Sequence, residues 1–304
     1  MVYDTVIIGS GPAGLAAAIY GQRARLDVVM IEKQPMSGGQ ILNTYDVDNY
    51  PGLPGIGGFD LGTKFRAHAD ALGAKIVTES VTAVDLSGKI KKITTDRENY
   101  ETKTVIIATG AGYRKLSVPG EDTLCGMGVS YCATCDGAFF RGKETAVIGG
   151  GDVALEDALF LARGCTRVYL IHRRDEFRGA KTLQEKVFQT DNIEVIWDTE
   201  VKSINGAQQV ESIAIFNKKK QEQTELSVSG VFIAVGILPN TSLFEKQVAM
   251  DEAGYIKAGE DCATECAGVF AAGDVRTKQL RQVITAAADG ANAITSVEKF
   301  LYQQ

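Results

Sequence analysis

Two stretches of this chain, with Gly149 standing 140 residues after Gly9, spell the same local structure, and that repetition restricts the fold more than any other feature. The first, Thr5-Val6-Ile7-Ile8-Gly9-Ser10-Gly11-Pro12-Ala13-Gly14, is an apolar strand run that breaks into glycines and continues as an Ala/Leu-rich helical pattern from Leu15 to about Arg25. The second, Thr145-Ala146-Val147-Ile148-Gly149-Gly150-Gly151-Asp152-Val153-Ala154, keeps the register and runs helically through Leu161. Each reads as strand, tight turn and helix.

The residue types in the first copy match the physics of a phosphate cradle. Gly9 permits the turn, Gly11 lets a pyrophosphate approach the backbone, and Gly14 lets helix and strand pack closely. The helix N-terminus then offers free N–H groups to the phosphates. The next apolar run, Val28-Val29-Met30-Ile31, ends at Glu32, where a carboxylate can take a ribose hydroxyl of FAD or NAD. In the second copy the run Val168-Tyr169-Leu170-Ile171 ends instead at His172, followed by Arg173, Arg174 and Arg178. A carboxylate there would repel a 2′-phosphate, whereas guanidinium groups bind one through charge-assisted hydrogen bonds, so this copy reads as an NADPH site, with His172 grouped in the basic cluster.

A third recurrence closes both copies. Val105-Ile106-Ile107-Ala108-Thr109-Gly110 and Val231-Phe232-Ile233-Ala234-Val235-Gly236 are short buried strands ending in small residues. After the second, Leu238-Pro239-Asn240 signals a turn, and the tail with Gly268-Val269-Phe270-Ala271-Ala272-Gly273-Asp274 resumes neither glycine pattern. It is expected to return to the first domain, with Asp274 near the cofactor and a final helix from about Arg281 to Leu301. The expected architecture is α/β: two Rossmann-like dinucleotide-binding domains, the second (115–244) inserted into the first (1–114 and 245–304), with linkers near 113–118 and 240–247.

Composition removes other classes. Over 304 residues the net charge is −6 with both signs mixed, which leaves no nucleic-acid footprint or polybasic membrane patch. The N-terminus lacks a secretory pattern and no window reaches a membrane span, so a cytoplasmic address is expected. Six cysteines in a chain of this length do not make a disulfide framework. Cys132-Ala133-Thr134-Cys135 could hold zinc or carry electrons. Zinc needs four ligands and only two histidines exist, so redox chemistry is favoured and no metal is expected. Asp136 is either the acid–base group for a leaving thiolate or a turn residue before Gly137. Cys125, Cys165, Cys262 and Cys266 read as small thiols, Lys218-Lys219-Lys220 as a solvated loop, and Asp48-Asn49-Tyr50-Pro51-Gly52 as a turn.

Taken in order, these pieces resemble the low-molecular-weight, bacterial-type thioredoxin reductases over essentially the whole chain. The matching residues are Gly9 to Gly14 with Pro12 and Ala13, Gly38-Gly39-Gln40, Cys132 to Asp136, Gly149 to Gly151, His172 to Asp175 with Arg178, Gly273-Asp274 and Arg281-Gln282. The resemblance implies an FAD domain, an inserted NADPH domain carrying a Cys132–Cys135 disulfide, and a homodimer. FAD contacts would include Gly11, Glu32, Gln40, Asn49, Asp274 and Gln282, with Gly39, Gly110, Gly273 and Arg281 bordering them. NADPH contacts would include Gly151, Asp152, Arg173, Arg174 and Arg178, beside Gly149. Hydride would pass from NADPH to FAD, electrons then to the disulfide through Cys135, and Cys132 would attack the disulfide of thioredoxin or a thioredoxin-like protein. Domain rotation would separate the half-reactions.

One departure stands beside the motif, where Ala138 intervenes before Phe139-Phe140 and unsettles the docking face. Rival readings keep the architecture with a dedicated partner or ferredoxin as donor, or make it a dithiol oxidase; the arginine cluster speaks against losing NADPH. A non-catalytic flavin redox sensor and a ferredoxin–NADP reductase remain as other classes.

Overall fold

The computed structural model describes residues 1–44, 47 and 49–303, and of Asp48 to Gly52 only Asp48 lies outside them. Two compact units are present: Met1–Asn43, Tyr50–Gly112 and Leu238–Gln304 form the first, and Thr44–Asn49 with Tyr113–Ile237 the second.

In the first unit, β1 (Val2–Ile8) runs into α1 (Pro12–Arg23) and returns as β2 (Val28–Glu32), parallel to β1 with Ile8 opposite Ile31. Helix α2 (Gly58–Ala71) leads to β3 (Lys75–Thr78) on the outer edge of β2. The antiparallel hairpin β4 (Val81–Asp85) and β5 (Lys91–Thr95) turns the chain into β6 (Asn99–Ile107), which lies parallel to β1 with Val6 opposite Val105. The β1, β2 and β6 runs are apolar on both faces because both faces are covered. Val6, Val29, Ile31, Val105 and Ile107 enter one core, while Ile7, Met30 and Ile106 enter the other under α1. Burying one such side chain contributes about 1.5–3 kcal/mol.

The chain leaves through β7 (Ala111–Tyr113). The second unit opens with β8 (Val129–Ser130) and the one-turn α3 (Ala133–Asp136), then repeats the first motif as β9 (Glu144–Gly149), α4 (Asp152–Ala162) and β10 (Arg167–Ile171). Helix α5 (Lys181–Phe188) and β11 (Ile193–Ile196) follow, then an antiparallel sheet of β12 (Thr199–Asn205), β13 (Ser212–Asn217) and β14 (Glu222–Ser227), and finally β15 (Gly230–Ala234). The parallel sheet has the order β11-β10-β9-β15-β8. Leu155, Ala158 and Leu161 of α4 pack on one face with Val147, Leu170 and Phe232, while Ile204, Ile213 and Ile215 of the antiparallel sheet cover Ile148, Ile171 and Ile233 on the other. Strand β15 pairs with β9, Ile233 opposite Ile148, as β6 pairs with β1. This is the duplication read from the paired glycine runs.

Between β13 and β14 the lysine triplet is exposed, with Lys218 paired to Glu200 and Lys219 to Asp175 and Asp198. The chain returns through β16 (Ile237–Pro239), which pairs with β7, and the first unit is completed by β17 (Val269–Ala271) on β6 and by α6 (Val283–Tyr302). Gly290 lets α6 lie close on α1, because a side chain there would collide with the Ala13 carbonyl. Among the described residues no helix is long and apolar enough to cross a membrane.

Candidate active site

The sulfurs of Cys132 and Cys135 are joined in a disulfide with their Cα atoms 5.3 Å apart. Cys132 is the extended residue ahead of α3, and its carbonyl accepts the Cys135 N–H at 3.2 Å and the Asp136 N–H at 3.1 Å. Ser130, 5 % exposed at the end of β8, accepts the Cys132 N–H at 3.1 Å and donates to Asp136 Oδ2 at 2.6 Å. Burial raises the Asp136 carboxyl above the usual carboxylate range, and the Ser130 hydrogen bond opposes that only in part. Its Oδ1 is buried without a partner among the described residues. Asp136 is therefore a carboxyl that retains its proton to unusually high pH beside a disulfide. Of the two phenylalanines after Ala138, Phe139 is exposed, whereas Phe140 is buried edge-on against Phe232.

In the same unit, α4 starts at Gly151 with no side chain capping its N-terminus, and a side chain at Gly151 would meet nothing within 4 Å. A cavity of about 450 Å³ lies alongside, bordered by Gly149, Gly150, His172, Arg173, Arg178 and the segment from Arg114 to Pro119. Arg173, Arg174 and Arg178 are exposed, and among the described residues none of them is in an ion pair. Three unpaired guanidinium groups beside free helix N–H groups suit an anionic ligand.

One neighbour differs from the expectation, and a second has a structural duty of its own. His172 does not join the basic cluster: it is 5 % exposed, packed on Phe177 and Trp197, and its pKa is lowered by burial and by Arg178 and Arg174. A neutral ring pressed under Gly150 shapes the cavity wall, and any side chain at Gly150 would strike it. Asp152 is engaged structurally, its Oδ1 accepting the Ala180 N–H at 2.6 Å. With the Arg178 N–H donating to the Gly150 carbonyl at 2.7 Å, this fastens the arginine loop to the start of α4.

The first unit carries the other cradle. Gly9 has φ +105°, and a side chain on it would run into the Ala108 carbonyl, so only glycine fits. Gly11 begins α1 without a side-chain cap, and a methyl there would meet nothing within 4 Å. Glu32 sits at the end of β2 with Oε2 accepting the Ser10 N–H at 2.8 Å and hydroxyl at 2.7 Å, while Oε1 accepts the Gln34 N–H at 2.9 Å. The Gly38 N–H donates to the Ser10 carbonyl at 2.8 Å, which brings Gly39 beside Gly11 and leaves Gln40 exposed. Asn49 is exposed and groups with the second unit. Gly110 faces open space at the end of β6, next to reciprocal hydrogen bonds between Thr109 and Asn240 at 2.7 and 2.8 Å.

Gly273 packs against Ala13, which brings the segment after β17 to the start of α1. Asp274 is half-buried; burial raises its pKa, and its Oδ1 has no partner. Arg281 places its guanidinium 4.0 Å from the Tyr255 ring centre, with a buried Nε that also lacks a partner. Gln282 caps α6 in a reciprocal box with Thr285, a structural duty the sequence did not reveal. Sequence reasoning also missed Asp289, which accepts the Gly273 N–H at 2.9 Å, Arg276 at 2.9 and 2.7 Å and Lys278 at 2.8 Å. Burial alone would raise its pKa, but the two cations outweigh it and lower it. No local pattern marks Asp289, because its partners lie one helix start away.

An open cradle at Gly11, uncapped N–H groups, and two buried polar atoms awaiting partners fit a dinucleotide that brings hydroxyls and phosphates. The second cradle fits a nucleotide with an extra phosphate. The remaining cysteines are free: Cys125 is exposed, Cys165 and Cys262 are buried, and Cys266 is half-buried. Cys165 donates to the Phe140 carbonyl at 3.3 Å and Cys262 to that of Asp289 at 3.4 Å, with burial pushing the Cys262 thiol up to about 12.

The family model described as pyridine nucleotide-disulphide oxidoreductase matches residues 3–290. The thioredoxin reductase of Peptoclostridium acidaminophilum is 46 % identical over 307 aligned positions, covering 99 % of this chain and 97 % of the relative. That of Bacillus subtilis is 42 % identical over 303, covering 99 % and 95 %. The crystal structure of thioredoxin reductase from Streptococcus pyogenes superposes with a TM-score of 0.94 at 43 % identity, covering 100 % of this chain and 99 % of that one.

Proposed function

The chain belongs to the pyridine nucleotide-disulphide oxidoreductases, among the low-molecular-weight thioredoxin reductases that use FAD and NADPH, and from that premise we propose how its residues divide the work. FAD and NADPH, when bound, supply the hydride chemistry by which two electrons reach the disulfide. In the first unit Gly11 and the N-terminus of α1, with Gly9, Pro12, Ala13 and Gly14 shaping the turn, take the pyrophosphate. Glu32, already oriented by Ser10, takes a ribose hydroxyl. Gly39, Gln40, Asn49, Gly110, Gly273, Asp274, Arg281 and Gln282 border the flavin. In the second unit Gly149, Gly151 and α4, steadied by Asp152, take the other pyrophosphate, and Arg173, Arg174 and Arg178 take the 2′-phosphate.

Two electrons and two protons convert the Cys132–Cys135 disulfide to a dithiol. Cys132 then attacks the partner disulfide, Cys135 resolves the mixed disulfide, and a partner dithiol leaves as the enzyme disulfide re-forms. Asp136, whose carboxyl burial makes a weaker acid, gives a proton to the departing thiolate and recovers one from the attacking thiol. The partner is thioredoxin or a thioredoxin-like protein. Phe139, the exposed apolar side chain beside the motif, belongs to its docking face. The working protein is a homodimer in the cytoplasm.

The observation that carries this reading is the disulfide backed by a buried, half-satisfied Asp136 in the unit that also holds the arginine-rimmed cavity. Titration of the flavin-loaded protein with NADPH tests it. Flavin absorbance is expected to bleach and to recover on adding oxidised thioredoxin; absence of bleaching would refute NADPH as donor, and absence of recovery thioredoxin as acceptor. One flavin must serve both cavity and disulfide, so the units rotate about the crossings β7 and β16 between half-reactions. A verified covalent lock between units should stop turnover while sparing one half-reaction, and undiminished turnover would contradict the rotation.

A further inference from the structure

A single buried carboxylate joins the nucleotide cavity to the residue that precedes Cys132. Glu121 is 1 % exposed. Its Oε1 accepts the Leu116 N–H at 3.0 Å and the Tyr131 hydroxyl at 2.7 Å, while Oε2 accepts the Ser117 N–H at 2.6 Å. Leu116, Ser117 and Val118 line the same cavity as the glycines and arginines of the phosphate site. This wall has no helix or strand of its own and turns through Ser117 at φ +59°, so its position depends on side-chain anchors.

The segment is pinned from behind as well. The Ile204 N–H donates to the Pro119 carbonyl at 2.9 Å, and Gly120, at φ +90°, lies so close to the Ile204 carbonyl that no side chain fits. On the other side Tyr131 stacks on Tyr113 with ring centres 5.1 Å apart and planes at 14°. Burial and then the Glu121 hydrogen bond push the Tyr131 phenol well above its ordinary pKa, so it stays a donor. A buried carboxylate would be costly without partners, and here it has donors from both directions.

We propose that Glu121 is a positioning residue for both half-reactions, setting the Leu116–Val118 wall against the nucleotide and, through the Tyr131 hydroxyl, setting the backbone that enters Cys132. Neither function involves contact with the reacting atoms. The two oxygens divide the work: Oε2 serves the wall, and Oε1 ties the wall to the disulfide loop.

This inference rests on the cavity being the NADPH site, and the test separates the two ideas. Trp197, the only tryptophan, lies 6.2 Å from the ring of the cavity residue His172, so its fluorescence reports nucleotide binding. Flavin-loaded wild type, Glu121→Gln and Tyr131→Phe are titrated with NADP⁺ and then assayed at saturating NADPH with a disulfide partner. Glu121→Gln, which replaces the charged acceptor of the Ser117 N–H, is expected to weaken NADP⁺ binding about tenfold and to slow partner reduction. Tyr131→Phe, which removes one oxygen only, is expected to leave the NADP⁺ Kd within about twofold while lowering kcat at least about fivefold.

Should Glu121→Gln fail to fold, Tyr131→Phe decides alone: an unchanged kcat, or an NADP⁺ affinity that falls in step with kcat, overturns the proposal. Variants that melt earlier with unchanged Kd and kcat overturn it too, since the carboxylate would then serve stability alone. A wild type that does not bind NADP⁺ removes the cavity reading and this inference together, whereas normal wild-type binding with unaffected variants removes only the inference.

Discussion

Ser130 donates its hydroxyl to Oδ2 of Asp136 at 2.6 Å, and the opposite oxygen, Oδ1, is buried with no partner among the described residues. One oxygen is thus fixed and the other is left to exchange a proton. In Asp136→Asn, partner reduction is expected to fall about 10²-fold while flavin reduction by NADPH is kept. Activity of the wild type should decline as pH rises through the raised pKa of Asp136, and the variant should lack that limb. The sign for stability is opposite to that of a salt-bridged carboxylate. Folding raises this pKa, so the folded state holds its proton longer, and stability is lost as pH climbs from the unfolded to the folded value. Asp136→Asn should therefore gain in melting temperature relative to wild type as pH rises above the ordinary carboxylate pKa of about 4. A variant that melts earlier than wild type throughout that range would count against the burial argument.

The separate roles proposed for the two cysteines predict different products. Cys132→Ser should abolish turnover on a partner disulfide yet leave NADPH-driven bleaching of the flavin. Cys135→Ser leaves Cys132 without its resolving thiol, so a mixed disulfide with the partner should accumulate on a non-reducing gel. Turnover surviving in Cys132→Ser would reassign the chemistry to another group.

Arg173, Arg174 and Arg178, exposed and in no ion pair among the described residues, are the side chains proposed to read the 2′-phosphate. Each charge-assisted hydrogen bond to phosphate is worth about 1.5–3 kcal/mol, so Arg→Ala at a contacting position should raise KM for NADPH roughly 10- to 100-fold. KM for NADH should hardly move. Equal losses for both nucleotides would place the arginines elsewhere in recognition.

The two glycines of the first cradle should fail differently. Gly9→Ala forces a side chain onto a backbone at φ +105° and into the Ala108 carbonyl, and should lower the melting temperature of the flavin-free protein. Gly11→Ala has room and an ordinary φ of −70°, so the flavin-free protein should melt normally but retain less FAD. The ratio of flavin to protein after purification, beside the apoprotein melting curve, distinguishes the two. Full flavin content in Gly11→Ala would move the pyrophosphate away from this turn.

The features legible in the sequence share a physical reason. Gly9, Gly14 and Gly149 announce themselves because backbone atoms fill the space a side chain would need, and the apolar runs of β1, β6, β9 and β15 because both faces of each sheet are covered. The helix expected from about Arg281 begins at Val283 because Gln282 caps it, and the one expected from Leu15 begins at Pro12. His172 looked basic by its arginine neighbours, but its side chain turns inward onto Phe177 and Trp197. Glu121 and Asp289 gave no signal at all. Their importance comes from several donors that converge only after the chain has folded, and one acidic residue in a polar stretch looks like any other.

The four cysteines outside the motif acquire a meaning from their surroundings. Cys165 and Cys262 are buried, and burial pushes both thiols upward; the thiol of the exposed Cys125 is pushed upward too, by local desolvation and then by the charge of Asp122. A thiol that resists ionisation is a slow partner in disulfide exchange, since the thiolate is the species that attacks. Already reduced, these three take no electrons, and their reluctance to ionise makes them slow to attack the Cys132–Cys135 disulfide, so the motif is insulated from side exchange with them.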